Sequence, residues 1–157
     1  MPLSDESHLL RAIELAGRSR ENGNHPFGAV LIDGRGDVVL EAENTVLTEN
    51  DCTNHAELNL VRAASRRFDG PSLLACTLYA STEPCAMCAG AIYWSGIGRV
   101  VYALGSDGLT AMVEGSEGSS ELELPCREVF ARGGRSVDVS GPHLVDEARR
   151  VHEGFWG

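Results

Sequence analysis

The sequence predicts an α/β fold in which helices cover a sheet that begins with a hairpin. Two apolar runs of strand length, 27–32 and 38–42, flank the turn sequence 33–37, an arrangement that is typical of a hairpin. A helical pattern of about 10–15 residues precedes each of the next two predicted strands, and such crossovers favour parallel pairing. We therefore expect an α/β sandwich with parallel pairing after the initial hairpin.

The N-terminal segment predicts an amphipathic helix over residues 4–20. Leu9, Ile13 and Ala16 recur at helical spacing, and charged residues lie outside this stripe. The turn sequence Asn22-Gly23-Asn24 ends the helix before the first strand.

A second helix is predicted after a polar loop at 48–54. Asn54 is expected to cap this helix, which continues to Arg67. The sequence Asp69-Gly70-Pro71 ends it, and a strand is predicted over 73–80.

A third helix begins after that strand. Pro84 suits its first position, where a missing N–H costs nothing, and the apolar pattern continues to about Trp94. Ser95-Gly96 then separates this helix from a fourth strand at 99–103.

The last third of the chain has weaker patterns. Residues 105–124 contain four glycines and five acidic residues, which predicts a mobile acidic loop. A short helix at 125–132, a short strand at 136–139 and a final helix at 142–153 are expected to follow. We expect a single domain over 1–157, with a core of about 5–110 and a C-terminal segment, 125–157, that forms a lid or a dimer element.

Composition limits the possible partners. The net charge is −10, and all 13 basic residues are arginines, so the chain lacks the positive charge that nucleic-acid binding usually needs. No apolar run approaches the ~20 residues of a membrane span. The acidic N-terminus lacks the apolar segment of a signal peptide, which favours a cytoplasmic protein that binds no membrane.

The pair Cys85-x-x-Cys88 at a helix start fits a redox site, a disulfide or half of a metal site. The positive end of a helix favours thiolates, which are zinc ligands. His55 can supply a third ligand and water the fourth, which predicts a catalytic zinc site. Alternatively, Cys52 takes the fourth position, and the domain is then a zinc-stabilised scaffold without an open site. Cys76 and Cys126 are expected to be buried apolar residues.

The combination of His55-x-Glu57 with Pro84-Cys85-x-x-Cys88 resembles the signature of the zinc-dependent nucleobase and nucleoside deaminases, the cytidine deaminase superfamily. The stretches 24–30 and 83–92 resemble its guanine deaminase and tRNA adenosine deaminase branch. The resemblance implies a three-layer α/β/α sandwich with a central mixed sheet. It also implies one Zn²⁺ per chain and a homodimer formed through the apolar helix after Cys85.

The resemblance implies roles for several further residues. Glu57 is expected to be the catalytic residue that moves protons without binding the metal. Because His55 and Glu57 are two residues apart, either His55 precedes the regular helix or the Glu57 side chain curls back. The remaining candidates are substrate-binding residues, namely Asn44 through its amide, Phe27 by stacking, Glu83 by accepting from an amine, and Ala56, Asp107 and the tail residue Trp156.

Four of these substrate candidates have a structural alternative. Phe27 can be a core residue, Asn44 a turn residue, Glu83 a partner of the helix dipole, and the tail pair Phe155 and Trp156 simple packing. The predicted function is hydrolytic deamination of a free nucleobase, with guanine or a related aminopurine or triazine as first choice. A cytosine or nucleoside deaminase, a tRNA adenosine deaminase and the zinc scaffold are the alternatives.

Overall fold

The computed structural model describes residues 4–116 and 120–157, and within these ranges it contains eight helices and five strands. In chain order they are α1 (Asp5–Glu21), β1 (Gly28–Ile32), β2 (Val38–Glu43), α2 (Val46–Glu49), α3 (Ala56–Arg67), α4 (Gly70–Leu74), β3 (Thr77–Thr82), α5 (Ala86–Ser95), β4 (Arg99–Leu104), α6 (Ser106–Val113), α7 (Cys126–Ala131), β5 (Asp138–Ser140) and α8 (Val145–Arg150). No helix among the described residues has the length and apolar character to cross a bilayer.

The sheet has the strand order β2-β1-β3-β4-β5 and is mixed. Strand β1 runs antiparallel to both β2 and β3, whereas β3, β4 and β5 pair in parallel. The carboxyl ends of β2, β3 and β4 therefore meet the start of β1 at one edge of the sheet. The mixed sheet with an initial hairpin is confirmed.

Alternating residues of the sheet face two different helical layers. Val30 and Val101 pack in one core cluster with Leu9 of α1 and Ala148 of α8. On the other face, residues of β1 and β3 pack with apolar residues of α3, α5 and α7. These two cores make the three-layer α/β/α sandwich that the resemblance implied.

The first helix forms where the sequence predicted it. The hydroxyl of Ser4 accepts a hydrogen bond from the backbone N–H of Ser7 and caps its N-terminus. The helix lies so close to β1 that a side chain at Gly28 would have its Cβ 2.4 Å from the carbonyl oxygen of Ala12. Gly28 therefore permits the approach that brings α1 onto the sheet.

Several element boundaries differ from the prediction. The polar loop contains the short helix α2, and Asp69-Gly70-Pro71 both ends α3 and begins α4, because the Asp69 carboxylate accepts from the N–H of Ser72. Strand β3 accordingly begins at Thr77, and the final regular helix is limited to Val145–Arg150.

The prediction of a mobile acidic loop over residues 105–124 is wrong for the first half of that segment. Residues Ser106–Val113 form α6, which buries Val113 and packs Leu109 and Met112 against the core. Apolar contacts of this kind outweigh the high glycine and acidic content of the segment. Part of the predicted loop, residues 117–119, lies outside the described residues.

Candidate active site and metal centre

The starts of α3 and α5 bring the predicted metal ligands together. His55 is the N-cap of α3 and Cys85 is the N-cap of α5, and both have an extended backbone. Both predicted helix starts were therefore early. Asn54, the predicted cap, lies one residue before the α3 cap, and Pro84, predicted at the first helical position, lies two residues before Ala86. Neither side chain makes a capping hydrogen bond, so both are available as ligands.

The three donor atoms have the spacing of a tetrahedral zinc site. Nδ1 of His55 lies 3.5 Å from Sγ of Cys85 and 3.6 Å from Sγ of Cys88. Zinc bonds of about 2.3 Å to sulfur and 2.0 Å to nitrogen at tetrahedral angles would separate N and S by about 3.5 Å. His55, Cys85 and Cys88 therefore fit a zinc ion. Cys52 is exposed and lies outside this cluster, which removes the support for a fourth protein ligand.

The electrostatics of the cluster favour bound metal. A hydrogen bond from Cys88, followed by one from His55, lowers the pKa of Cys85 to about 4. The bond to Cys85 and burial raise the pKa of Cys88. Cysteine binds a metal as the thiolate, so a divalent cation at this cluster would displace the remaining thiol proton.

Glu57 lies in the first turn of α3 and faces the same cavity as His55. Because His55 is extended and precedes the regular helix, the two side chains can converge although they are two residues apart. Only 6 % of Glu57 is exposed. Burial, followed by the charge on Cys85, raises the pKa of this carboxyl to about 7, which suits a group that both accepts and donates protons at neutral pH.

A cavity of about 640 Å³ opens over the metal cluster and Glu57 at the sheet edge described above. Its walls come from the loop before β1, the end of β3, the helix α6 and the C-terminal tail. The lining residues that the structure describes are His25, Phe27, His55, Glu57, Thr82, Glu83, Cys85, Leu109, Val113, Ser116, Ser120, Glu121, Phe155, Trp156 and Gly157.

A family model described as the cytidine and deoxycytidylate deaminase zinc-binding region matches residues 3–104. The chain belongs to this family. It is therefore a zinc-binding deaminase, and the matched region contains His55, Glu57, Cys85 and Cys88.

Relatives of this deaminase differ in the substrate that their names give. A Schizosaccharomyces pombe protein named "Probable cytosine deaminase" is 39% identical over 153 residues, which cover 97% of this chain and 92% of the relative. A guanine deaminase of Bacillus subtilis is 38% identical over 128 residues, 80% of this chain and 81% of that protein. A tRNA-specific adenosine deaminase of Haemophilus influenzae is 40% identical over 98 residues, 62% of this chain and 57% of that protein.

The fold of the deaminase is also similar to solved structures. A guanine deaminase from Nitrosomonas europaea superimposes with a TM-score of 0.77 at 28% identity, covering 94% of this chain and 82% of that chain. The names of these similar proteins give cytosine, guanine and tRNA adenosine as their substrates.

Some of the predicted substrate residues line the cavity and others do not. Phe27 and Trp156 line the cavity. Asn44 is buried and is not among the described residues that line the cavity, and its Oδ1 accepts from the N–H of Val46. Ala56 is buried and Asp107 is exposed in the first turn of α6, and neither lines this cavity.

Glu83 lines the cavity but its carboxylate already has two backbone partners. Oε1 accepts from the N–H of Ser106 at 3.0 Å and Oε2 from the N–H of Cys126 at 2.9 Å. These are N–H groups at the starts of α6 and α7 that have no partner within their own helices. This geometry supports the alternative that Glu83 stabilises helix starts rather than binding the substrate.

Sequence reasoning missed Thr82, Leu109 and Val113 as lining residues. Thr82 is the last residue of β3, and its Oγ1 is buried without a hydrogen-bond partner among the described residues. Its place at the carboxyl end of a buried strand was the available signal. Leu109 and Val113 were missed because α6 was predicted as a loop.

Proposed function

We propose that this deaminase acts on a free nucleobase, with guanine as its preferred substrate. The observation that supports a free base is the composition of the cavity wall. Phe27, Phe155 and Trp156 offer aromatic surface to a flat ring. Among the residues that the structure describes, no arginine lines the cavity, and its charged walls include Glu83 and Glu121.

A bicyclic base suits the size of the site. The cavity of about 640 Å³ lies within the range of ~300–1,000 Å³ that is usual for small-molecule sites. The likeness to the Nitrosomonas europaea guanine deaminase over 94% of this chain also supports a purine.

The proposed roles follow the reaction's atom balance. Water replaces the amino group on a ring carbon, which becomes a carbonyl, and ammonia leaves. His55, Cys85 and Cys88 would hold the zinc ion, which supplies Lewis-acid activation of water. The Glu57 carboxylate takes one proton from water and passes it to the adjacent ring nitrogen, and the second water proton leaves with the amine.

Two buried polar atoms support further substrate contacts. The side-chain nitrogen of Asn44 and the hydroxyl of Thr82 have no hydrogen-bond partner among the described residues. Buried polar groups are normally paired, so we assign them to the polar edge of the base. Phe27 and Trp156, which line the cavity, would contact its faces.

Cytosine is the second candidate, because the relative named as a cytosine deaminase is similar over 97% of this chain. A tRNA substrate is less well supported, since that similarity covers 62% of the chain and no arginine lies among the described lining residues. We also propose a homodimer through α5, whose Trp94 is 84 % exposed. We propose a cytoplasmic location, since all five cysteines are free thiols.

Ammonia release from a substrate panel tests the proposal. The panel contains guanine, adenine, cytosine, their nucleosides, triazines and a tRNA anticodon stem-loop, with zinc-loaded Glu57→Gln as the inactive control. The highest kcat/KM on guanine supports the proposal, and the highest on cytosine selects the second candidate. Preference for the stem-loop would overturn the free-base assignment.

A further inference from the structure

His152 is buried behind the cavity wall and bonds to the tail residue Trp156. Its Nδ1 accepts a hydrogen bond from the indole Nε1–H of Trp156 at 3.0 Å. The two rings are nearly parallel, with 16° between their planes. Because Nδ1 accepts, the proton of the neutral imidazole is on Nε2, which is buried without a partner in the part of the chain that the structure describes.

The surroundings of His152 keep it uncharged. The imidazole is 1 % exposed, and burial, followed by the charge of Arg20, lowers its pKa to about 4. A protonated ring would carry a hydrogen on Nδ1 and could not accept from Trp156.

Arg20, near the end of α1, fixes the backbone of the same segment. Its Nη1 donates to the carbonyl oxygens of Val151 at 2.9 Å and Glu153 at 2.7 Å. Its guanidinium lies 5.5 Å from the ring centre of Phe155. Gly154, with a φ of 73°, makes the turn between these anchored residues and the aromatic pair.

We propose that His152 is a positioning residue that holds the indole of Trp156 as a preformed wall of the cavity, with Arg20 fixing the backbone beneath it. The proposal rests on the proposed function in one respect, that the base binds in this cavity. A wall that is already ordered before the substrate binds avoids the entropic cost of ordering that segment during binding. Since His152 does not line the cavity, its loss should weaken binding rather than the chemical step.

A matched pair of variants tests this role. His152→Phe keeps a ring but removes the acceptor, and His152→Asn keeps an acceptor where Nδ1 lies. A lost hydrogen bond of ordinary strength predicts an increase in KM of about fivefold for His152→Phe, with kcat little changed. The Asn variant should recover most of the loss. In a Trp156→Phe background, which lacks the indole donor, His152→Phe should add little.

Hydrogen exchange tests the wall independently of turnover. In the zinc-loaded enzyme without substrate, backbone amides of residues 151–157 should exchange faster in His152→Phe than in wild type, and in Arg20→Gln likewise. If the variants exchange faster but the wild-type enzyme deaminates no base of the panel, the role of His152 is supported and the proposed function is rejected. Wild-type exchange and KM in His152→Phe, or an equal loss in His152→Asn, would overturn the proposal.

Discussion

Nδ1 of His55 and Sγ of Cys85 lie 3.5 Å apart although the two residues are 30 positions apart in the chain. Each is the N-cap of a helix, and those helices pack in the same layer on one face of the sheet. Two positive helix ends therefore converge on the sulfurs. The metal site follows from helix packing at one sheet edge rather than from a single loop.

Replacing one sulfur should remove the metal. We expect Cys85→Ser to reduce bound zinc well below one per chain and to lower the melting temperature, because the remaining buried donors lose their cation. Metal analysis and X-ray absorption measure this, and the wild-type spectrum should show two sulfurs with two lighter atoms. Exposed Cys52 provides the control, since Cys52→Ser should keep a full zinc complement. Loss of zinc from Cys52→Ser would instead support the alternative in which Cys52 is the fourth ligand and the site is closed to water.

Glu57→Gln should separate metal binding from catalysis. The amide fills the same buried space but cannot carry a proton between water and base, so we expect kcat to fall by about 10²–10⁴. Zinc content and thermal stability should remain near wild type. Substantial turnover by the zinc-loaded variant would remove Glu57 from its assigned role.

The five strands, the helices α1, α3, α5, α7 and α8, and the pair of cysteine ligands could be predicted because their signals are local. Helical spacing in α1 and the Cys85-x-x-Cys88 pair lie within single segments. The exact helix starts were not predictable in this way. Asn54 is a better N-cap type than His55, yet the extended backbone at His55 makes that residue the cap.

The helix α6 shows why other features were missed. Its N-cap, Gly105, offers no side chain, and its first N–H is bound by Glu83, 23 residues earlier. A helix whose start is stabilised from another segment leaves little trace in its own sequence. Glu83 was predicted to contact the substrate because its two backbone partners lie far along the chain and have no signal near Glu83 in the sequence.

Glu83→Gln should destabilise the fold. One carboxylate oxygen becomes an NH₂ group facing a backbone N–H, so a charged hydrogen bond is lost and two donors oppose each other. We expect the free energy of unfolding to fall by about 3 kcal/mol, measured by urea denaturation. Asp107→Asn, at an exposed carboxylate of the same region, should change it little. A Glu83→Gln variant with wild-type stability but a raised KM would instead support a substrate contact.

Removing residues 154–157 should impair substrate binding. The deletion takes away Phe155 and Trp156, which line the cavity, so we expect a higher KM with a smaller effect on kcat. Arg149→Gln, at an exposed position of α8 that does not line the cavity, serves as the control and should leave both constants near wild type. Unchanged kinetics after the longer deletion would show that the tail only packs against the domain.

The buried imidazole of His152 should make stability depend on pH. Its pKa is about 4 in the folded protein and 6.5 when unperturbed, so between these values the unfolded chain binds the proton and the folded chain does not. The stabilisation is therefore complete above about pH 6.5 and is lost as the pH falls to about 4, a change of roughly 3 kcal/mol. Urea denaturation of wild type and His152→Phe across this window isolates the contribution, because His55 and the other histidines are common to both. As the pH falls, the unfolding free energy of wild type should decrease relative to that of His152→Phe. A difference between the two proteins that does not change with pH would mean that His152 is charged or solvated in the folded state.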